Sequence, residues 1–206
     1  MSILHGFGMQ KQPELPAGES VSAKQTHSTR IGDCDSPDWQ NNSESDGLVA
    51  SREKIILTIK TADCVPILYA DHAFGVIGAS HQGWRGTYDR MSVKMIERME
   101  EKGANKGKIR IAIGPSIGPC CYRIYGKRYE IFKQRYARFA ERVFVTQMGD
   151  TYLNLALLNY LQLIDAGILP VNIDCKPFCT KCDTRFRSFQ REGSGYGNMV
   201  SYIMRK

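Results

Sequence analysis

Two apolar runs, Ile55-Ile-Leu-Thr-Ile and Val65-Pro-Ile-Leu-Tyr, decide the fold, with the polar stretch Thr61-Ala-Asp-Cys between them. Both runs are rich in aliphatic and β-branched residues, a pattern typical of buried strands. A third strand, Phe74-Gly-Val-Ile-Gly-Ala-Ser, follows at once and ends at His81. Because three strands precede the first strong helical pattern, we expect a mixed or antiparallel sheet rather than a doubly wound one.

Helical periodicity begins after these strands. Residues 88–102 predict a helix whose methionines Met91, Met95 and Met99 share one face and enter the core. Residues 31–47 are polar and turn-rich and predict a surface loop. Further helices are predicted over 127–139 and 151–166, and further strands over 108–114, 142–147, 171–175 and within 185–204. We therefore expect a single domain over residues 1–206, with an α+β fold of packed mixed β-sheets flanked by helices.

The composition excludes several classes of protein. Of 206 residues, 42% are apolar and 24% charged, as in ordinary globular chains. No apolar run is long enough to span a membrane, and the first residues lack the pattern of a secretion signal, so we expect a cytoplasmic protein without a membrane partner. The net charge of +7 suits an anionic substrate. The charged residues are dispersed along the chain, and we expect no nucleic-acid partner.

Three side chains that can bind metal lie where strands open into loops: His27, Cys64 and His81. One thiolate and two imidazoles form a good three-ligand set for zinc, with a fourth tetrahedral position left for water or substrate. Their spacing along the chain is not that of a local ligand motif. On these residues alone, ordinary core roles for the three side chains remain open.

The other candidates for chemistry are less specific. Asp63 can orient a metal ligand or act as a base, or it can cap the turn before Cys64. Arg85 has the planar guanidinium that suits a phosphate, although it can equally pair with solvent-exposed groups or pack on Trp84. Cys179-x-x-Cys182 can be a redox dithiol or half of a zinc site, but we expect no second Cys pair to complete such a site and assign these residues to structural thiols. Cys120-Cys121 is assigned to packing.

Several motifs occur in the order of one known family: Thr61-Ala-Asp-Cys-Val-Pro, His81-Gln-Gly-Trp-Arg-Gly, Ile113-Gly-Pro-Ser-Ile-Gly, Cys179-Thr-Lys-Cys and Ser188-Phe-Gln-Arg. From about residue 24 to 204 the chain resembles the YfiH-like family, also called the laccase-domain or polyphenol oxidase family and the peptidoglycan-editing-factor family. Lys24-Gln-Thr-His and Ser45-Asp-Gly-Leu-Val are similar to two further elements of that family. Residues 6–13 and Tyr196-Gly-Asn depart from its pattern, and each lacks an arginine that the family carries.

The resemblance implies a metal bound by His27, Cys64 and His81, described as zinc in this family, with Cu²⁺ as the alternative. It implies phosphorolysis of purine nucleosides (adenosine, inosine, guanosine and methylthioadenosine), together with adenosine deaminase activity. The expected partners are therefore purine nucleosides and phosphate. Under this interpretation Cys64, His81 and Asp63 are catalytic and Arg85 binds substrate.

Three alternatives remain open at this point. A cysteine hydrolase acting on peptidoglycan precursors would use Cys64 as nucleophile and His81 as base. A copper polyphenol oxidase would use the same ligands, although a multicopper cluster needs more than the four histidines of this chain. A basic RNA-binding domain would bind polyanions without metal.

Overall fold

The computed structural model describes residues 2–176 and 178–206, which form three β-sheets with helices packed outside them. The strands are β1 (Ile3–Gly6), β2 (Glu19–Val21), β3 (Ile31–Asp33), β4 (Gly47–Ala50), β5 (Ile55–Thr61), β6 (Val65–Asp71), β7 (Val76–Gln82), β8 (Ile109–Ile113), β9 (Phe144–Gln147), β10 (Asp150–Leu153), β11 (Ile173–Cys175) and β12 (Met199–Arg205). The α-helices are α1 (Trp84–Tyr88), α2 (Met91–Glu101), α3 (Gly126–Arg135), α4 (Ala140–Val143), α5 (Leu155–Asp165) and α6 (Phe189–Glu192).

The two larger sheets are mixed. The six-stranded sheet has the order β11-β8-β6-β7-β4-β3, in which β6 is antiparallel to both β7 and β8 while the edge pairs β11–β8 and β3–β4 are parallel. The four-stranded sheet has the order β1-β12-β5-β2, and β9 and β10 form a separate antiparallel pair. The predicted α+β fold of packed mixed sheets flanked by helices is confirmed.

The position of strand β6 explains why its sequence lacks a polar face. Val65, Ile67 and Tyr69 enter a core shared with the helices, whereas Leu68 and Ala70 enter a second core shared with the four-stranded sheet. The six-stranded sheet is therefore the middle of three layers and is covered on both faces. Apolar side chains are needed on both sides of such a strand.

Helix α2 packs on β7 and β4 through its methionine face. Met91, Met95 and Met99 are fully buried, as their spacing of four predicts. Unbranched methionine side chains fill the irregular space between a helix and a twisted sheet.

Two sequence-based assignments are wrong in part. Residues 31–47 were expected to form a surface loop, but β3 lies at the edge of the six-stranded sheet, and Ser45 and Asp46 are 2% and 1% exposed. The polar composition is misleading because both side chains are buried with hydrogen-bond partners. The helix expected from residue 151 starts only at Leu155, since the side chain of Asn154 caps it by accepting from Leu157 N at 3.0 Å, and the preceding residues form β10.

Most of the remaining elements agree with the predictions to within a few residues. The short helix α1 lies where only a turn was expected, α4 and α6 lie where strands were expected, and β4 was not predicted. Among the described residues, no helix has the length and apolar character required to cross a membrane.

The methionine face of α2 provides a test of the core. We expect Met95→Ala to lower the free energy of unfolding by about 2–5 kcal/mol, because the truncation leaves a cavity between α2 and the sheet. Urea denaturation measures the loss. Met9→Ala is the control, since Met9 is 47% exposed and its truncation leaves no cavity. Equal effects of the two substitutions would show that α2 is not held by this face.

Candidate metal centre and substrate cavity

Three segments that are distant in sequence meet at His27, Cys64 and His81. Their ligand atoms all lie within 4.8 Å of one another. Cys64 Sγ is 3.8 Å from His27 Nε2, and the two imidazole rings meet edge to face with centroids 4.8 Å apart. Ligands bound to a tetrahedral zinc at about 2.0–2.3 Å are separated by similar distances.

The sheet register explains how Cys64 and His81 approach each other. Cys64 ends the tight turn between β5 and β6, and His81 lies near the end of β7, opposite Pro66 in the antiparallel β6–β7 ladder. The start of β6 and the end of β7 therefore lie side by side. His27 reaches them from the loop after β2.

The buried carboxylate of Asp46 holds the segments of His27 and His81 in place. Asp46 Oδ1 accepts hydrogen bonds from His81 Nδ1 at 2.8 Å and from His27 N at 3.0 Å. Its Oδ2 accepts from Thr26 N, Ser28 N and Ser28 Oγ, the last two at 2.6 and 2.7 Å. Because the carboxylate accepts a hydrogen bond from His81 Nδ1–H, Nε2 is the ring nitrogen that faces the centre. Asp46 has no role that its sequence context predicts, although it belongs to the Ser45-Asp-Gly-Leu-Val motif.

The electrostatics of the three groups favour a deprotonated thiol. Burial by itself opposes ionisation of Cys64, but the charge of His81 and hydrogen bonds from both imidazoles lower the pKa of the thiol to about 6. Burial would likewise raise the pKa of Asp46, yet its hydrogen bonds with His81 and Ser28 lower it to about 2. Cys64 is thus ready to act as a thiolate ligand near neutral pH.

Gly83 gives the His27 ring its space. A Cβ atom at this position would lie 2.5 Å from His27 Cδ2 and 3.4 Å from Cys64 Sγ. The backbone of Gly83 has φ −69° and ψ 178°, which any residue can adopt. The restriction at Gly83 is therefore steric, and it comes entirely from the neighbouring ligand side chains.

A cavity of about 790 Å³ opens above the three ligands. Its wall includes four aromatic side chains: Trp84, Tyr122, Phe189 and Tyr196. Phe189 and Tyr196 are 49% and 40% exposed and meet edge to face, with centroids 5.1 Å apart. A concave site of this size with aromatic walls and a few polar groups is typical of small-molecule binding.

Two guanidinium groups contribute the cationic side of this cavity. Arg85 Cζ lies 4.7 Å and Arg128 Cζ 4.4 Å from the centroid of the Trp84 ring. Both arginines line the cavity, and neither makes a carboxylate ion pair within the described part of the chain. Arg128 was missed by the sequence analysis because it lies on α3, outside every recognised motif, and only the packing of α3 brings it to Trp84.

Asp63 lines the cavity but has both carboxylate oxygens engaged. Oδ1 accepts from Thr180 Oγ1 at 2.6 Å and Oδ2 from Gln190 N at 2.7 Å, and the backbone carbonyl of Asp63 accepts from Ile117 N. Its φ of +84° is unusual for a non-glycine residue. These contacts tie the turn before Cys64 to Thr180 and Gln190. The roles that the sequence left open for Asp63 stay predictions.

A second cluster of thiols lies nearby. The sulfur atoms of Cys120, Cys121, Cys179 and Cys182 are within 4.8 Å of one another. The expectation that Cys179-x-x-Cys182 lacks a second pair is therefore wrong. The missing pair is Cys120-Cys121, which is distant in sequence and has a different spacing.

The close packing of His27 against Gly83 predicts a selective defect in metal binding. We expect Gly83→Ala to displace the His27 ring and weaken zinc binding about 10-fold or more, while the midpoint of thermal unfolding of the metal-free protein stays nearly constant. Competition with a chromogenic chelator measures the affinity. Gly86→Ala is the matched control, because a Cβ there meets no atom closer than 3.6 Å. Wild-type zinc affinity in Gly83→Ala would contradict the close packing of His27.

Comparison with known proteins places this geometry in a family. A family model described as multi-copper polyphenol oxidoreductase laccase matches residues 8–206. Adenosine deaminase RL5, from an unknown prokaryotic organism, is 33% identical over 196 residues, which cover 90% of this chain and 75% of that protein. A purine nucleoside phosphorylase from Deinococcus radiodurans is 34% identical over 194 residues, 91% of this chain and 70% of the relative.

Solved structures agree with these relatives. The crystal structure of Bacillus licheniformis hypothetical protein YfiH has a TM-score of 0.84 and 30% identity, covering 93% of this chain and 76% of that one. YlmD from Geobacillus stearothermophilus has a TM-score of 0.83 and 28% identity, covering 93% and 75%. The family resemblance seen in the sequence motifs is confirmed: this chain belongs to the multi-copper polyphenol oxidoreductase laccase family.

Proposed function

We propose that the protein is a zinc-dependent purine nucleoside phosphorylase with additional adenosine deaminase activity. Its substrates are adenosine, inosine, guanosine and methylthioadenosine, together with phosphate. The observation that carries the proposal is the meeting of one thiol and two imidazoles in a cavity that also presents two guanidinium groups. Relatives named for each of the two activities support it.

The donor set fits zinc. His27, Cys64 and His81 offer two imidazole nitrogens and a sulfur whose lowered pKa favours the thiolate, and three protein ligands leave one tetrahedral position open. When bound, a zinc ion supplies Lewis-acid chemistry that polarises oxygen atoms of substrate or water. Asp46 keeps His81 in the tautomer that presents Nε2 to the centre.

Different groups of the cavity wall suit the purine and the phosphate of a nucleoside reaction. Aromatic side chains can stack against a purine. Phe189 and Tyr196 line the cavity and are exposed there, which makes their rings available for stacking. Arg85 and Arg128 can hold a phosphate by charge-assisted hydrogen bonds near the ribose. In phosphorolysis a phosphate oxygen forms a bond to C1′ while the glycosidic bond to the purine nitrogen breaks. The protein's contribution is to orient both reactants and stabilise the anion.

Arg128 supplies a cationic group in a chain that lacks two arginines of the family pattern. Tyr196 and Asn198, which replace part of the late arginine motif, both line the cavity. The cationic groups of Arg85 and Arg128 line the same cavity and retain a place for an anion in this chain. This arrangement supports phosphorolysis despite the departure in sequence.

The alternatives fit less of the site. A cysteine hydrolase is favoured by the lowered pKa of Cys64 beside His81, but it assigns no function to His27 or to the two arginines. A multicopper oxidase needs more imidazole ligands than four histidines supply. Chelation distinguishes the first alternative, since a thiol hydrolase keeps its activity without metal and the proposed enzyme does not.

We also propose a cytoplasmic location. The seven cysteines are free thiols, and a reducing compartment keeps them so.

Removal of the central ligand tests the metal centre. We expect Cys64→Ala to contain about one zinc per chain fewer than wild type and to lose nucleoside turnover, because two imidazoles alone bind zinc weakly. Elemental analysis and a nucleoside assay measure the two effects. Cys175→Ser, which removes a half-buried thiol from β11, should change neither. A Cys64→Ala variant that keeps its zinc and its activity would refute the proposed centre.

The two arginines separate phosphorolysis from deamination. We expect Arg85→Ala and Arg128→Ala each to lower kcat/KM for inosine phosphorolysis roughly thirtyfold, which corresponds to about 2 kcal/mol for one charge-assisted contact. Adenosine deamination uses no phosphate and should fall less. Base release with and without phosphate, and ammonia release, measure the two reactions.

Arg135→Ala provides the control for these variants. Arg135 lies over the Tyr88 ring at 4.5 Å and pairs with Asp89. It stacks on an aromatic ring as the two cavity arginines do, but it lies outside the cavity. Equal losses in both reactions would show that Arg85 and Arg128 only support the structure. A folded, zinc-containing protein that converts no purine nucleoside would overturn the proposed function and favour the hydrolase.

A further inference from the structure

The four thiols outside the candidate active site form a compact group. Cys182 Sγ lies 3.6 Å from Cys120 Sγ and 3.4 Å from Cys121 Sγ, and Cys179 Sγ lies within 4.8 Å of the others. A tetrahedron of sulfur atoms bound to zinc at about 2.3 Å has edges of about 3.8 Å. We propose that this thiol cluster is a second metal site, a tetrathiolate centre for Zn²⁺ that is separate from His27, Cys64 and His81.

The backbone around Cys179 resembles the surroundings of a metal-bound thiolate. Gly118 N donates to Cys179 Sγ at 3.2 Å. Hydrogen bonds from backbone N–H groups stabilise the charged form of such a ligand.

Gly118 allows the two thiol pairs to approach each other. A Cβ on Gly118 would lie 3.1 Å from Cys179 Cβ and 3.3 Å from Cys120 Sγ. Either contact is tighter than a side chain ordinarily tolerates. The loop before Cys120-Cys121 therefore passes directly over the Cys179–Cys182 turn, as a shared ion requires.

The charge balance of the cluster calls for a cation. Four sulfur atoms at this spacing cannot all ionise without a compensating positive charge. A divalent soft cation supplies that charge, and four thiolates in tetrahedral arrangement are the ligand set that selects zinc.

The turn that carries Cys179 and Cys182 is held in place by its surroundings. Arg191 Nη1 donates to the carbonyl oxygens of Thr180 at 2.6 Å and Lys181 at 3.0 Å. Ser116 N donates to Phe178 O, and Thr180 N donates to Ser116 O, so a short parallel bridge joins the turn to the loop of residues 114–122. The ligands are thus positioned before the ion binds, which lowers the entropic cost of binding.

The same loop contributes Ile117 and Tyr122 to the wall of the large cavity. An ion at the thiol cluster would therefore stabilise one wall of the candidate active site without contacting substrate. This consequence rests on the proposed function, whereas binding of zinc by the four thiols does not.

Metal analysis of the complete chain tests the proposal. We expect wild type to contain about two zinc ions per chain, Cys64→Ala about one, and Cys182→Ser about one. Cys175→Ser is the matched control and should retain about two, since Cys175 is a half-buried thiol outside the cluster. X-ray absorption at the zinc edge of wild type should give an average of about 2.5 sulfur ligands per zinc at about 2.3 Å.

The absorption measurement needs no variant and remains decisive if Cys182→Ser fails to fold. An average of about one sulfur per zinc in wild type, with zinc lost in Cys64→Ala, would overturn the thiol cluster as a metal site. An average of about four, with zinc retained in Cys64→Ala, would support the cluster and refute the zinc centre of the proposed function instead. Denaturing alkylation without reductant should modify all seven cysteines, and a disulfide between Cys182 and Cys120 or Cys121 would also overturn the proposal.

Discussion

The candidate metal centre depends on one buried carboxylate. Asp46 is 1% exposed and accepts five hydrogen bonds, from His81 Nδ1 and from donors of the Thr26–Ser28 turn. These contacts fix the tautomer of one ligand and the backbone of another. His27 has a φ of +59°, a left-handed conformation that costs free energy in a non-glycine residue. The hydrogen bonds of the turn with Asp46 offset that cost.

The position of Asp46 follows from the sheet. Asp46 immediately precedes β4, which is antiparallel to β7, and its carbonyl oxygen accepts from His81 N at 2.8 Å. The carboxylate therefore lies beside the end of β7 because the register of the two strands places it there. The start of β6, the end of β7 and the Thr26–Ser28 turn thus form the centre.

The turn between β5 and β6 links this centre to the thiol cluster. Asp63 precedes Cys64 in sequence, and its carboxylate holds Thr180, which lies between Cys179 and Cys182. The distance between the two groups of ligands along the chain is large, but a single side chain connects them in the fold. If both groups bind zinc, the two ions stabilise different parts of one cavity wall. His27, Cys64 and His81 line the cavity directly, and the loop of residues 114–122 lines it through Ile117 and Tyr122.

The sequence by itself determined the apolar strands β5, β6 and β7, the methionine face of α2 and the identity of the family. Local patterns carry that information, since β5 and β6 are apolar on both faces and the Thr61-Ala-Asp-Cys and His81-Gln-Gly-Trp motifs are short and continuous. Only the tertiary structure decided which polar residues are buried and which distant side chains meet. Asp46, Arg128 and the Cys120-Cys121 pair act through partners that are far away in sequence. No local periodicity records such partners, because strand register and helix packing bring them together.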